Sequence, residues 1–342
     1  MPGNALQDAI RRLAFGESLS SEDITGAFDI IMRGEATPAQ VGALLMALRV
    51  KGETADEVAG VVRALRSAMV PLEATSPDEL VDTCGTGGGA VPTFNISTAA
   101  ALLAAGAGVR IAKHGNRSFT SRCGSADVLE ALGIPIDAPP ERMRRTLQDA
   151  GIVFMFAPAM HPAMKHVGPV RRELAIPTVM NIVGPLANPA RAGRQLVGVS
   201  EIPRLALLAN ALAVLGTTHA MVVYGEPGMD EVSPLGKTRV LEVRGGTVSE
   251  WSIDPARFGI RGVTAAELAG SEPASNAETI RDILSGGGTP GGRASVVLNA
   301  AAAVYLSGLA RSYDEGFEVA SAALAAGKGA VALERLRTAS AA

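Results

Sequence analysis

Between Asp82 and Thr98 the chain reads DTCGTGGGAVPTFNIST, and no other stretch limits its fold so tightly. The run from Glu79 to Val81 can feed a strand, and the alanine-rich run from Thr98 to Ala107 has the composition of a helix. Between them sit Gly85, Gly87, Gly88 and Gly89, followed by the hydroxyl and amide side chains of Thr93, Asn95, Ser97 and Thr98. A turn of this kind can aim several backbone N–H groups at one point near a helix N-terminus, where the dipole favours an anion such as phosphate or pyrophosphate. It has no Gly-Lys-Ser/Thr ending, so it is not a P-loop, and no glycine follows Gly89 at the offset of the dinucleotide fingerprint. Taken alone, the turn is equally compatible with a tight strand-to-helix crossing.

A second cluster favours the anion site. KHGNRSFTSRCGSAD, from Lys113 to Asp127, follows the apolar segment Val109 to Ala112, which reads as the next strand. Strand, glycine loop, helix, strand and basic loop make a parallel β-α-β unit with both loops at one edge of the sheet, where ligands bind in such sheets. Lys113 and Arg117 bring positive charge to that edge. His114, Asn116, Ser118, Ser121 and Ser125 bring hydrogen-bonding groups opposite the glycines.

These motifs carry a resemblance. GTGG with TFNIST, then KHGNR with GSAD, is similar to the anthranilate phosphoribosyltransferase family, in the superfamily that also holds the nucleoside phosphorylases. TPAQVGALLMALRVKGET, HPAMKHVGPVRREL, NIVGPLANP and MDEVSP extend the similarity over nearly the whole chain. The resemblance implies transfer of the phosphoribosyl group of phosphoribosyl pyrophosphate to the amine of anthranilate, a step of tryptophan biosynthesis. It further implies that the donor is held by Gly85, Gly88, Gly89, Thr93, Asn95, Ile96, Ser97, Thr98, Lys113, His114, Gly115, Asn116, Arg117, Ser118, Ser121 and Ser125. Anthranilate would meet Gly85, Asn116 and Arg171, and Ser97, Asp230 and Glu231 would hold magnesium, two ions per subunit. A homodimer through the helical domain is implied as well. One position departs from the family pattern: Gly89 stands where an aspartate usually follows GTGG.

The 342 residues, 47% hydrophobic and 19% charged, suffice for two domains with a large core. The expected architecture is α/β, with a small N-terminal all-α helical domain beside a large domain built on a mostly parallel sheet. Residues 1–72, joined by helices from about 162–188, would form the first domain, and residues 78–161 with 189–342 the second. A net charge of −3 gives no support for nucleic-acid or membrane binding. Cys84 and Cys123 show no zinc spacing, and the opening residues lack the apolar core of a signal peptide, so reduced thiols in a cytoplasmic protein are expected.

Along the chain, three amphipathic helices are predicted at the start, opened by Ser20 with Asp23, by Thr37, Pro38 and Gln40, and by Thr54 with Glu57. A strand near Ile134, a helix from Pro140 to Ala150 and a strand from Ile152 to Phe156 follow. His161 and His166 lie five residues apart, about 140° around a helix, too far round to pair on one zinc ion. Arg171 and Arg172 could each pair with a carboxylate. His219, at a strand start, reads as structural. Asp230 and Glu231 follow a strand; in extended backbone such neighbours point apart and suit two ions better than one. SGGGTPGG, from Ser285 to Gly292, reads as a flexible loop without lysine, and the tail from Lys328 as a helix able to fray.

The attacking nitrogen of an aromatic amine is already nucleophilic, so no covalent nucleophile is expected and no GxSxG motif occurs. What such a protein must supply is orientation and charge stabilisation. Two other readings stay open at this point, a pyrimidine nucleoside phosphorylase-like enzyme and a non-catalytic paralogue that binds nucleic acid or a partner.

Overall fold

Four helices open the chain, one more than expected: α1 (Ala5–Ala14), α2 (Ser21–Met32), α3 (Pro38–Lys51) and α4 (Ala55–Ala68). A computed structural model describes residues 4–118 and 122–341, so Ser121 lies outside the described residues. Each of the four helices starts at a reciprocal capping box, in which a side chain at the cap and one three residues on satisfy each other's backbone amides. The boxes of α2, α3 and α4 are those read from the sequence. That of α1 is Asn4 with Gln7, a signal present in the sequence but passed over in a segment considered only as a leader. Leu6, Ile24, Phe28, Leu44, Leu48 and Val61 are buried between these helices.

Seven strands form one sheet: β1 (Val81–Gly85), β2 (Ile111–Gly115), β3 (Ile152–Phe156), β4 (Arg194–Gly198), β5 (His219–Gly225), β6 (Thr238–Arg244) and β7 (Thr247–Ile253). Their order is β3-β2-β1-β4-β5-β6-β7; the first five run parallel, and β6 and β7 add an antiparallel edge. The chain steps outward from β1 to β3 and then returns to place β4 on the other side of β1. The crevice beyond the carboxyl ends of β1 and β4 is therefore the topological switch point, where open α/β sheets bind ligands.

Both faces of the sheet are covered, which is why its inner strands read as continuous apolar runs. Val81, Ile111, Leu196 and Met221 pack on one face with helix α5 (Ile96–Gly106) and the helix Pro290–Ser307. Val197, Val199, Ala220 and Val222 share a core on the other face with the helix Ile202–Val214 and with α1 to α4. Val167, Val170, Val179 and Met180 join that second core, so the segment after β3 packs against the N-terminal helices. The turns Val179–Asn181 and Gly184–Leu186 carry the proline-rich NIVGPLANP stretch back toward the sheet.

Several expectations are corrected. No strand forms at Ile134: Gly133, at φ +85°, turns the chain out of a helix and Pro135 follows, so the buried Ile134 is an anchor in a turn. The SGGGTPGG tract is not wholly a flexible loop, since Thr289 caps the helix Pro290–Ser307 and its hydroxyl accepts from the Gly292 amide at 3.0 Å. Gly291 and Gly292 are buried in that first turn. The final helix, Lys328–Ala341, is pinned by buried Ala332, Leu333 and Leu336. Gly106 lets it approach so closely that an added carbon there would lie 2.4 Å from the Lys328 carbonyl oxygen.

Candidate active site

β1 and β2 run further than their apolar cores suggest, to Gly85 and Gly115, so residues read as loop are strand residues sent alternately to the two faces. Thr83 and Lys113 point toward α5, and Asp82 and His114 toward the opposite side. Lys113 is accordingly buried. Its ammonium donates to the carbonyl oxygen of Thr83, and at 3.3 Å each to Thr83 Oγ1 and Ser97 Oγ. Burial lowers the ammonium's pKa, against the opposing pull of Asp82 and Glu231. It is a fixed charge beneath the N-terminus of α5 and not a mobile loop cation.

On the other side, Asp82 is fully buried, accepting from the His114 amide at 3.1 Å and from Asn188 Nδ2 at 2.7 Å. Burial pushes its carboxyl up to about 6. The His114 ring lies 5.1 Å from that of His161, tilted by 50° to it. One nitrogen of each ring is held by a backbone carbonyl, Gly184 for His114 and Ala187 for His161, while each Nε2 has no protein partner. Burial drives their pKa values down to about 3 and about 4, so both rings are neutral acceptors. Asp82, Asn188 and the meeting of the two histidines were missed from sequence; the NIVGPLANP motif was the available signal for Asn188.

The loop after β5 carries the acidic pair across the carboxyl end of β4 onto the glycine turn. Asp230 Oδ2 accepts from the Gly87 amide at 2.9 Å. The crossing requires a glycine at Gly198, where an added carbon would lie 1.7 Å from the Asp230 carbonyl oxygen; at Gly85 and Gly89 the same carbon would lie 2.6 Å from Asp230 Oδ2 and 3.1 Å from Asp230 Oδ1, contacts that press on the carboxylate. Glu231 accepts instead from the Ser97 amide at the start of α5. Burial raises both carboxyl groups; Glu231 reaches about 8 because Asp230 adds repulsion, which Lys113 and the Ser97 amide only partly offset. Two crowded carboxylates and the Ser97 hydroxyl, short of positive charge, make an oxygen donor set that fits a hard divalent cation. Among the described residues no group of three or more His, Cys, Asp or Glu could hold a metal ion. Magnesium takes few protein carboxylates and completes its shell with water and substrate phosphate.

A pocket of about 370 Å³ gathers these loops. Gly85, Gly88, Asn95, Ser97, Lys113, His114, Gly115, Asn116, Arg117, Ser118, Ser125, Asp230 and Glu231 all line it, joined by Cys84, by Gly87 of the glycine run, and by Thr86 and Asn181, which the sequence did not single out. Among the described residues, four that were expected fall outside the lining. Ile96 points into the core, and the buried Thr98 leaves its hydroxyl without a partner behind α5. The Thr93 backbone packs on Gly270, and Gly89 faces the far side of Asp230. Arg117 is held at 2.7 Å to Asp127 and 2.6 Å to Glu130, and Asn95 accepts from Asn276 at 3.0 Å.

A second cleft of about 580 Å³ adjoins the first, and His114 and Asn116 line both. Its other walls include Ala157, Pro158, His161, Met180, Val183 and Arg171, with Lys165 and Arg172 also on the lining. Burial alone lowers the pKa of the Arg171 guanidinium, and no carboxylate neutralises it among the described residues. An apolar cleft with Arg171 buried in its wall and no carboxylate paired to that guanidinium suits a flat aromatic carboxylate. His166 is set apart from His161, against Gly34, and His219 Nε2 pairs with Glu242 at 2.7 Å in a structural contact.

Comparison with known proteins shows the same two-part architecture. The glycosyl transferase family, helical bundle domain, matches residues 7–69, and the glycosyl transferase family, a/b domain, matches residues 77–330. The anthranilate phosphoribosyltransferase of Rubrobacter xylanophilus is 50% identical over 330 residues, 96% of each chain. The crystal structure of that enzyme from Thermus thermophilus superposes with a TM-score of 0.92 at 40% identity, covering 98% of this chain and 100% of the other. The Saccharomyces cerevisiae enzyme in complex with phosphoribosyl pyrophosphate and magnesium superposes at 0.88 with 28% identity, covering 98% of both chains.

Proposed function

The chain belongs to the anthranilate phosphoribosyltransferase family, and from that premise we propose how its own residues perform phosphoribosyl transfer to anthranilate. The observation that carries the proposal is the Asp230 carboxylate seated on the Gly87 amide, because it brings the acidic pair of a distant loop to the glycine turn. Phosphoribosyl pyrophosphate occupies the pocket of about 370 Å³, and anthranilate the adjoining cleft. Asp230, Glu231 and the Ser97 hydroxyl hold magnesium. The separate anchoring of the two carboxylates, on Gly87 and on Ser97, supports two ions per subunit. The bound metal supplies charge neutralisation for the departing diphosphate.

The remaining work belongs to the protein. Open amides of the glycine turn and the positive end of α5 face the diphosphate. Gly89, Thr93, Ile96 and Thr98 contribute through backbone shape, since their side chains lie outside the pocket lining. Arg171 pairs with the anthranilate carboxylate, and Asn116, on the wall shared by both pockets, orients the amine toward the sugar. The bond from the anomeric carbon to the pyrophosphate oxygen breaks through a transition state of oxocarbenium character. The amine nitrogen forms the new bond to that carbon and then gives up one proton to solvent water, as the pyrophosphate leaves with the bonding pair. Orientation by Arg171 and Asn116 makes the encounter effectively intramolecular, and no covalent intermediate with the protein is needed.

Residues 1–72 with about 162–188 form the helical domain, and residues 78–161 with 189–342 the α/β domain. The helical domain provides a homodimer contact, and the enzyme works in the cytoplasm. Among the described residues, no single helix is long and apolar enough to cross a membrane. The test is the loss of anthranilate fluorescence with phosphoribosyl pyrophosphate at varied magnesium. Asp230→Asn with Glu231→Gln should abolish most turnover and raise the magnesium requirement; full magnesium-dependent turnover in that variant refutes the assignment.

A further inference from the structure

The peptide joining Gly87 to Gly88 is fixed from outside the glycine turn. Ser200, two residues beyond β4, donates its hydroxyl to the Gly87 carbonyl oxygen at 3.0 Å, and Thr86 Oγ1 lies farther from the same oxygen at 3.3 Å. The preceding peptide is held as well, the Gly87 amide donating to Asp230 at 2.9 Å. Gly87 and Gly88 have φ of +71° and +78°, backbone that glycine adopts freely, so within the turn only the longer Thr86 hydroxyl contact opposes rotation of this peptide. Ser200 supplies the shorter restraint, from outside the turn.

We propose that Ser200 is a positioning residue for the diphosphate of the donor, acting through the Gly88 amide. The peptide is trans, so the N–H of Gly88 points opposite to the carbonyl of Gly87. Holding that carbonyl toward the β4 side turns the Gly88 N–H away from it, and Gly88 lines the donor pocket. Among the described residues, the Gly88 amide donates to no protein acceptor, as a donor kept for a ligand would. Peptide rotation would present a carbonyl oxygen in place of the N–H, repelling phosphate. Ser200 itself is absent from the pocket lining, so it acts through the backbone without touching substrate.

The proposal rests on the donor occupying this pocket, and the experiment separates the two claims. Inorganic pyrophosphate with magnesium is titrated calorimetrically into the parent chain, Ser200→Ala and Ser200→Thr, and KM is measured for both substrates. Removing one neutral hydrogen bond should weaken pyrophosphate and raise the KM of phosphoribosyl pyrophosphate roughly threefold to tenfold in Ser200→Ala, with the KM of anthranilate and the melting temperature unchanged. Ser200→Thr, which keeps the hydroxyl, should restore both. Unchanged pyrophosphate affinity in Ser200→Ala overturns the positioning role, as does an equal weakening of both substrates accompanied by a lower melting temperature. A parent chain that binds neither pyrophosphate nor the donor overturns the underlying reading.

Discussion

Asn299 grips both backbone groups of Val232: its Oδ1 accepts from the Val232 amide at 2.8 Å and its Nδ2 donates to the Val232 carbonyl at 2.9 Å. A fully buried side chain on the helix Pro290–Ser307 thus imitates a strand partner for the residue that follows Glu231. The loop bearing the acidic pair has no regular hydrogen-bonding neighbour there, and Asn299 replaces one.

Replacing Asn299 with alanine strands a buried N–H and a buried carbonyl together, and should cost about 2–4 kcal/mol of stability. Urea denaturation measures that loss. Because Val232 adjoins Glu231, manganese binding followed by electron paramagnetic resonance should weaken in the same variant. Manganese affinity equal to that of the parent would show that the clasp is structural only.

Arg171→Ala should raise the KM of anthranilate by roughly tenfold to a hundredfold, the worth of a charge-assisted pair, with little effect on the KM of the donor. Arg171→Lys should recover only part, since an ammonium lacks the two-pronged geometry of guanidinium. Steady-state kinetics with each substrate varied in turn decides it. An equal rise in both KM values would place Arg171 outside the acceptor cleft.

The glycines beneath Asp230 are expected to tolerate substitution in order of clash. Gly198→Ala sets a carbon 1.7 Å from a backbone oxygen and should displace the acidic loop, with loss of most turnover. Gly89→Ala, at 3.1 Å from a carboxylate oxygen, should be milder. Gly26→Ala, in α2, meets only Ala5 at 3.6 Å and should stabilise the chain by about 0.5–1 kcal/mol. Melting temperatures and turnover of the three variants test the ranking.

The paired histidines predict a pH dependence. His161 has its pKa lowered to about 4 by burial, from an unfolded value near 6.5, so the unfolded chain binds its proton first as pH falls. Its contribution to stability is full above about pH 6.5 and shrinks, by about 1.4 kcal/mol per pH unit, as pH drops toward 4. The stability difference between the parent chain and His161→Phe should therefore move in favour of the variant across that window. Asp82, whose raised pKa works in the opposite sense, is common to both and cancels. Denaturation at three pH values measures the slope, and a constant difference would mean that His161 is already protonated in the folded chain.

Whatever could be written in a few neighbouring residues was legible in the chain itself. The capping pairs of α2, α3 and α4, the β-α-β unit around α5, the glycine turn and the acidic pair each carry their signal within one turn of helix or one strand. Even the missed α1 announced itself at Asn4 and Gln7. Tertiary structure decided how far β1 and β2 extend, and hence that Lys113 and His114 leave the same strand toward opposite faces. It also decided that Asp82 finds Asn188, that Asp230 crosses β4 to reach Gly87, and that Asn299 clasps Val232. Helix caps and turns are set by torsion angles and hydrogen bonds between near neighbours, which sequence specifies directly. Partners 106, 143 or 67 residues apart meet only once strand order and register are settled, and those follow from burying both faces of the sheet at once.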